Sequence, residues 1–416
     1  MSTVSQKLDE VIHDIALEKI DSDRPSFESS EPLAKLRSLR TELWIDTGDL
    51  EKARSLWKRE LEALTTNNTL ANQVVQTGVM DGVIRETIAK IRKEVLDLSE
   101  EDLVTEIGFV INCKIALRLV NAFKVKVSVE LHPAMSRNIE KSLAYARRYY
   151  KVCPEYFIIK IPLTPEGFLA VRKLRQEGLP VNFTLGFSAR QNYLAARLAN
   201  PTYVNVFLGR LNQVVVDNVL GDGNLVGEKV TLATQRHIGE VRKKFPEVTT
   251  KLIGASIRNG DQVEFLAGLD VLTIPPAAVE QFVNSGKDPE SIESHVGHDQ
   301  SIEPGIDNGQ PQASRFPTLW EVPDTFKQFV DSLLGRVREG DISGEELAAY
   351  CGEKGIDLFH PFSREDLAKI TDHGKIPRLA DWPETVALDD LMTQSALQSF
   401  AKDQKALDER IRSFLD

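Results

Sequence analysis

Short apolar runs alternate with segments of helical spacing along residues 43–274, and this alternation restricts the fold more than any other feature of the chain. The runs lie at 43–46, 126–131, 156–161, 181–185, 203–207, 251–255 and 271–274, with an eighth near 63–66. Between them stand helical patterns such as MSRNIEKSLAYARRYY, PEGFLAVRKLRQEG and SARQNYLAARLA. The second of these opens at Pro165 and stops at Gly178, a matched start and stop signal. Strands joined by helical crossovers run parallel. Eight such repeats predict an α/β fold, a (β/α)8 barrel, in preference to an open sheet. No strand is followed by GxGxxG or a Walker-type loop, which removes the common nucleotide-binding alternatives.

The flanks read differently. Val4, Leu8, Val11, Ile12 and Ile15 are spaced for an amphipathic helix over 4–20, followed by the polar linker DSDRPSFESSEP. Residues 291–317 are polar and contain Gly and Pro, which predicts a long loop; TFKQFVDSLLGRVREG and SGEELAAYCGEKG predict short helices beyond it. A final helix carries an apolar stripe at Leu397, Phe400, Leu407, Ile411 and Phe414. The chain thus divides into an N-terminal helix and linker (1–40), the barrel (41–290), a loop and small helical insertion (291–390) and a closing helix (391–416). The insertion is expected to pack over the barrel rim or to contribute to an oligomer contact such as a homodimer. REGDISGEELAA is not a calcium loop, because aligning Ile342 to its apolar position puts Gly335 and Val337 where acidic ligands belong. His295 and His298 in SHVGHD read as solvated loop residues, and no metal site is predicted.

The 416 residues carry a formal net charge of −11. An acidic surface argues against nucleic acid or an anionic membrane as partner. A small phosphorylated substrate remains open, since it needs only two or three local cations. Three widely spaced cysteines fit neither a disulfide framework nor a metal motif and point to a reducing, cytoplasmic setting. No apolar run reaches the roughly 18 residues of a membrane span, and the N-terminus reads as neither signal nor transit peptide.

Catalytic groups of a barrel sit at the C-terminal ends of its strands. There the sequence places Asp46 (WID), Glu130 (VSVE), Lys160 (YFIIK), Thr184 (VNFT), Arg210 (VNVFLGR), and Ser256 with Arg258 (LIGASIR). A lysine at an apolar barrel mouth is desolvated, which frees its amine to attack a carbonyl. Two carboxylates can exchange protons with the adduct and with a sugar hydroxyl, and arginines beside a serine can hold a phosphate. Each residue alone has a structural reading as a salt bridge or a turn. Their joint occurrence on successive strands carries the argument.

At these residues the sequence resembles the transaldolase family. WIDTGDL, TTNNTL, VSVEL, IIKIPLTPEG, VNFTLGFS, VFLGR, GASIRN, LTIPPA and FAKDQKALDERIRSFL occur in the family's order. The resemblance covers about 41–290 and 391–416. It implies a Schiff base between Lys160 and the C2 carbonyl of a ketose donor, with Asp46 taking the C4 hydroxyl proton. It also implies that Glu130 acts through a water held by Thr184. Asn67 and Asn182 would bind the dihydroxyacetone portion; Arg210, Ser256 and Arg258 would bind phosphate. Phe207 stands where the family's transferases carry phenylalanine and the related fructose-6-phosphate aldolases tend to carry tyrosine, which favours transfer over cleavage. The implied activity is transfer of dihydroxyacetone from sedoheptulose 7-phosphate or fructose 6-phosphate to an aldose phosphate in the pentose phosphate pathway, with no organic cofactor or metal.

Two departures stand out. Asn68 and Thr69 replace the usual Pro and Ser of TTNPS, so proline's fixed φ is lost and the loop bearing Asn67 is expected to be looser or to hold a different sugar. Asn205 stands where a phosphate-binding serine is common, and its amide can still donate. The alternatives are a Schiff-base aldolase for another sugar phosphate, and a non-catalytic relative that uses the insertion for binding.

Overall fold

Eight parallel strands close into a barrel in sequence order in this computed structural model, which describes residues 3–23, 25–95 and 98–415. They are β1 (Glu42–Asp46), β2 (Leu61–Thr65), β3 (Lys126–Glu130), β4 (Phe157–Pro162), β5 (Val181–Thr184), β6 (Tyr203–Phe207), β7 (Lys251–Ala255) and β8 (Val271–Ile274). Closure runs through β1 and β8, where Leu43 aligns with Leu272 and Ile45 with Ile274. All the expected strands form, and the eighth is β2. Most strand residues are buried on both faces, as parallel strands between side-chain layers and helices must be.

The register decides which side chains meet. Glu130 lies opposite Lys160 and Lys160 opposite Asn182, so three candidate residues occupy one level of three adjacent strands. Thr184 aligns with Pro162, one side-chain layer nearer the mouth.

Three helices connect β2 to β3, Asn68–Gln76, Asp81–Glu94 and Glu100–Phe123, and the periodicity did not reveal the last two. Glu100–Phe123 is buried on nearly every face, so it lacks the polar stripe that marks an amphipathic helix. A Cβ added at its Gly108 would meet Gln404 and Ile411 of the C-terminal helix Leu388–Arg412 at 3.9 Å. That helix starts before the apolar stripe from which it was read. The N-terminal helix Thr3–Ala16 buries Val11 and Ile12; the side chain of Val4 and linker residue Arg24 lie outside the described residues.

Residues 291–317 carry no α-helix or strand. They form successive 3-10 turns fastened to the barrel helices, with Arg236 gripping buried Asp299 at 2.9–3.1 Å. His295 is not simply solvated, since its ring stacks on Phe265 with centroids 4.3 Å apart. The expected helices are Asp324–Glu339 and Gly344–Glu353, and a third, Arg364–His373, follows a Ser363/Asp366 capping box. Among the described residues no helix is long and apolar enough to cross a membrane.

Candidate active site

Lys160 projects from β4 into the barrel mouth and is 4% exposed. Its Nζ donates to the Thr66 carbonyl at 3.1 Å and lies 3.0 Å from Glu130 Oε2. Apart from this ammonium, neither Glu130 oxygen has a donor among the described residues. Burial pushes the Glu130 carboxyl above the usual carboxylate range, with Lys160 opposing it.

Asp46, at the end of β1, faces the same space and retains some solvent contact. Enclosure raises its pKa against the pull of Lys160 and of a hydrogen bond from Thr65. Thr65 Oγ1 donates to Asp46 Oδ1 at 2.6 Å and lies 2.6 Å from Thr273 Oγ1. A hydroxyl has one proton to give. With Thr65 donating to Asp46, Thr273 must donate to Thr65, and the two threonines form a one-directional relay that orients the carboxylate.

Polar side chains of β5, β6 and the loop after β2 line one wall. Asn67 caps the helix Asn68–Gln76 by accepting from Leu70 N–H at 2.9 Å, so its own N–H2 is the group left to donate to a ligand. Asn182 Nδ2 donates to Ser128 Oγ at 3.1 Å, and Asn205 Nδ2 donates to Asn182 Oδ1 at 3.1 Å. Asn205 Oδ1 accepts from Gly186 N–H at 3.3 Å, which fixes which end of each amide is which. This close approach requires glycine at 186, where a Cβ would sit 2.3 Å from the Asn205 carbonyl oxygen. Thr184 Oγ1 is buried and has no hydrogen-bond partner among the described residues.

The opposite wall is cationic. Arg210 lies in the first turn of the helix Leu208–Asp217, directly after β6, and is 6% exposed. Its Nη1 has no partner among the described residues. Burial, reinforced by the charge of Arg258, brings its pKa down to about 10, and partial burial lowers that of Arg258. Ser256 and Arg258 come from the loop after β7, which Ser256 enters at φ +62°. Gly209 lets that loop approach, since a Cβ there would lie 2.2 Å from Ser256 O and 2.6 Å from Arg258 Nε. A buried guanidinium that forms no ion pair among the described residues, near a second cation, is arranged for an external anion.

Asp46, Asn67, Lys160, Asn182, Thr184, Asn205, Phe207, Arg210, Ser256 and Arg258 all line one cavity of about 220 Å3. Glu130 sits behind Lys160. All the site residues expected from sequence are therefore brought together. The C-terminal helix closes one side through Phe400, whose ring centroid is 5.8 Å from Lys160 Nζ and 5.7 Å from Arg210 Cζ.

The loop after β2 is not loose. Asn68 Nδ2 donates to Gln404 Oε1 at 2.9 Å, and Thr69 Oγ1 donates to Asp403, so both departures from TTNPS are contacts to the C-terminal helix. Sequence reasoning missed Thr65, Thr273 and Ser128, which resemble ordinary strand residues, and Lys375, which lines the cavity from the insertion.

The family model described as transaldolase/fructose-6-phosphate aldolase matches residues 43–312. A probable transaldolase of Syntrophobacter fumaroxidans is 30% identical over 222 residues, 53% of this chain and 87% of that protein. One from Nitrosopumilus maritimus is 34% identical over 128 residues, 30% of this chain and 51% of that protein. The transaldolase of Nostoc punctiforme is 28% identical over 260 residues, 61% of this chain and 76% of that protein.

Proposed function

Because the chain belongs to the transaldolase/fructose-6-phosphate aldolase family, we propose that it acts as a transaldolase whose Lys160 amine forms the Schiff base. The substrates are sugar phosphates and the reaction is that of the pentose phosphate pathway. The observation that carries this reading is the buried Lys160 amine beside Glu130, in the cavity that Asp46 lines.

The neutral amine attacks C2 of the ketose, the carbonyl oxygen takes up a proton, and the carbinolamine loses water to give an iminium. Glu130 is the group beside the amine that can deliver and recover these protons, and burial raises its pKa in the direction that favours holding one. Thr184 Oγ1, buried without a protein partner, suits the water in that exchange. Asp46, oriented by Thr65, then removes the C4 hydroxyl proton. The C3–C4 electron pair moves into the iminium, giving an enamine and releasing the aldose phosphate. An acceptor aldehyde takes the enamine carbon, Asp46 returns the proton to the new hydroxyl, and water releases the product ketose. The imine is the electron sink. Asn67 and Asn182 bind the dihydroxyacetone hydroxyls, and Arg210, Ser256 and Arg258 hold the phosphate.

Phe207 favours transfer; Asn205 favours direct cleavage or another sugar, because it takes the place of a serine common at that position. Two experiments test the reading. Borohydride with fructose 6-phosphate should attach the three-carbon unit to Lys160 and to no other lysine. Glyceraldehyde 3-phosphate should appear from fructose 6-phosphate only when erythrose 4-phosphate is present. Release without acceptor identifies an aldolase, and absence of both trapping and release removes the catalytic reading.

A further inference from the structure

The charged residues lining the cavity are Asp46, Lys160, Arg210, Arg258 and Lys375. Lys160 is matched by Glu130 and lies in the same enclosed space as Asp46. The other three cations form no ion pair among the described residues, in a protein whose net charge is −11. Two of them, Arg210 and Arg258, lie on strand-end loops of the barrel. The third is supplied by the insertion.

Lys375 follows the helix Arg364–His373 and the left-handed Gly374, at φ +83°, which turns the chain toward the cavity. The segment is held from below. Asn218 Nδ2 donates to the Pro377 carbonyl at 3.0 Å, and Leu379 N–H donates to Asn218 Oδ1 at 2.7 Å. Asn218 caps the helix Leu208–Asp217, whose first turn carries Arg210. One short helix therefore fixes both the buried guanidinium and the loop that brings Lys375 to the rim, where Lys375 itself is exposed.

We propose that Lys375 is a substrate-binding residue, with its ammonium engaging the phosphate ester of the sugar in the cavity beside Arg210 and Arg258. A phosphate monoester carries close to two negative charges at neutral pH, which Arg210 and Arg258 together match, so the lysine strengthens capture at the rim and does not complete the neutralisation. A rim lysine adds a point charge that the phosphate meets first on entry. Its effect falls on selection of phosphorylated over unphosphorylated sugars. The assignment of the ligand as a sugar phosphate rests on the transaldolase reading; the anion-binding role of Lys375 does not.

The test compares wild type with Lys375→Met and Lys375→Arg. In Lys375→Met, KM for fructose 6-phosphate and for erythrose 4-phosphate should each rise about 5- to 20-fold, the loss of one charge-assisted contact, with kcat within about twofold. KM for unphosphorylated glyceraldehyde as acceptor should not move, and Lys375→Arg should recover most of the loss. An effect confined to donor or to acceptor would assign the contact to that sugar's phosphate alone. Titration with inorganic phosphate gives a second readout that needs no turnover: affinity should fall about fivefold or more in Lys375→Met. That fall in a protein inactive on fructose 6-phosphate would sustain the anion site and sink the transaldolase reading. Unchanged phosphate affinity and unchanged KM, or an equal rise for phosphorylated and unphosphorylated acceptors, would overturn the role of Lys375.

Discussion

Asn68 hands its Nδ2 proton to Gln404 Oε1 at 2.9 Å, tying the loop after β2 to a helix that lies 336 positions further along the chain. Thr69 makes the parallel bond to Asp403 one residue on. The pair that departs from the usual proline and serine is thus a docking point, and its loop carries Asn67 on the cavity wall. Replacing Asn68 and Thr69 together by Pro and Ser should leave borohydride trapping at Lys160 intact. Stability should fall by about 1–3 kcal/mol, since the buried Gln404 Oε1 loses its donor while Nε2 keeps Asp408. Hydrogen exchange of the segment around residues 400–408 should quicken while that of β4 does not; equal protection in both proteins would contradict the docking role.

Lys160→Met should lower turnover by at least about a thousandfold, since Lys375, the other amine lining the cavity, has no carboxylate beside it among the described residues to move the protons. Circular dichroism should remain that of an α/β barrel. Retention of near-normal turnover would end the Schiff-base mechanism.

Asp46→Asn tests the pH linkage. The pKa of Asp46 is raised in the folded protein, so the folded state holds a proton that the unfolded state has already lost. Wild-type stability is therefore favoured at acid pH and declines as pH rises from the ordinary carboxylate range through the folded value. The asparagine carries no such cost. The variant should lose carbon–carbon cleavage yet melt above wild type at pH 7.5, with the gap closing toward pH 4. A gap that widens on acidification would reverse the sign and refute the account.

Gly209→Ala should separate phosphate binding from imine chemistry. The added Cβ displaces either the Ser256 carbonyl or the Arg258 side chain. KM for phosphorylated substrates should rise about tenfold or more, while trapping of dihydroxyacetone itself on Lys160 continues. Unchanged KM would mean that the loop after β7 shifts without consequence.

The barrel was legible in the sequence because each strand is a short apolar run bounded by helical punctuation, and the strand-end charges stood out against those runs. Thr65, Thr273 and Ser128 were not, since inside a strand such residues read as β-formers or fillers and their hydrogen-bond chain exists only after closure. The helix Glu100–Phe123 was hidden because burial on all sides erases its period. Phe400 was seen as one residue of an apolar stripe; that it faces Lys160 follows from where the helix docks. Lys375 was out of reach for a different reason: its place depends on Asn218 gripping Pro377 and Leu379, a bond between an unremarkable cap and a loop.

The C-terminal helix has a consequence for the order in which the enzyme comes into being. Every residue assigned to bond making lies at or before Arg258, so a growing polypeptide has synthesised the whole reaction machinery before residues 388–412 emerge. Until they do, Asn68 and Thr69 have no partners and the amine of Lys160 lacks the Phe400 wall that shields it. A nascent barrel would hold that amine open to any passing aldehyde or ketone, and translation of that one helix walls one side of the cavity that Lys160 lines.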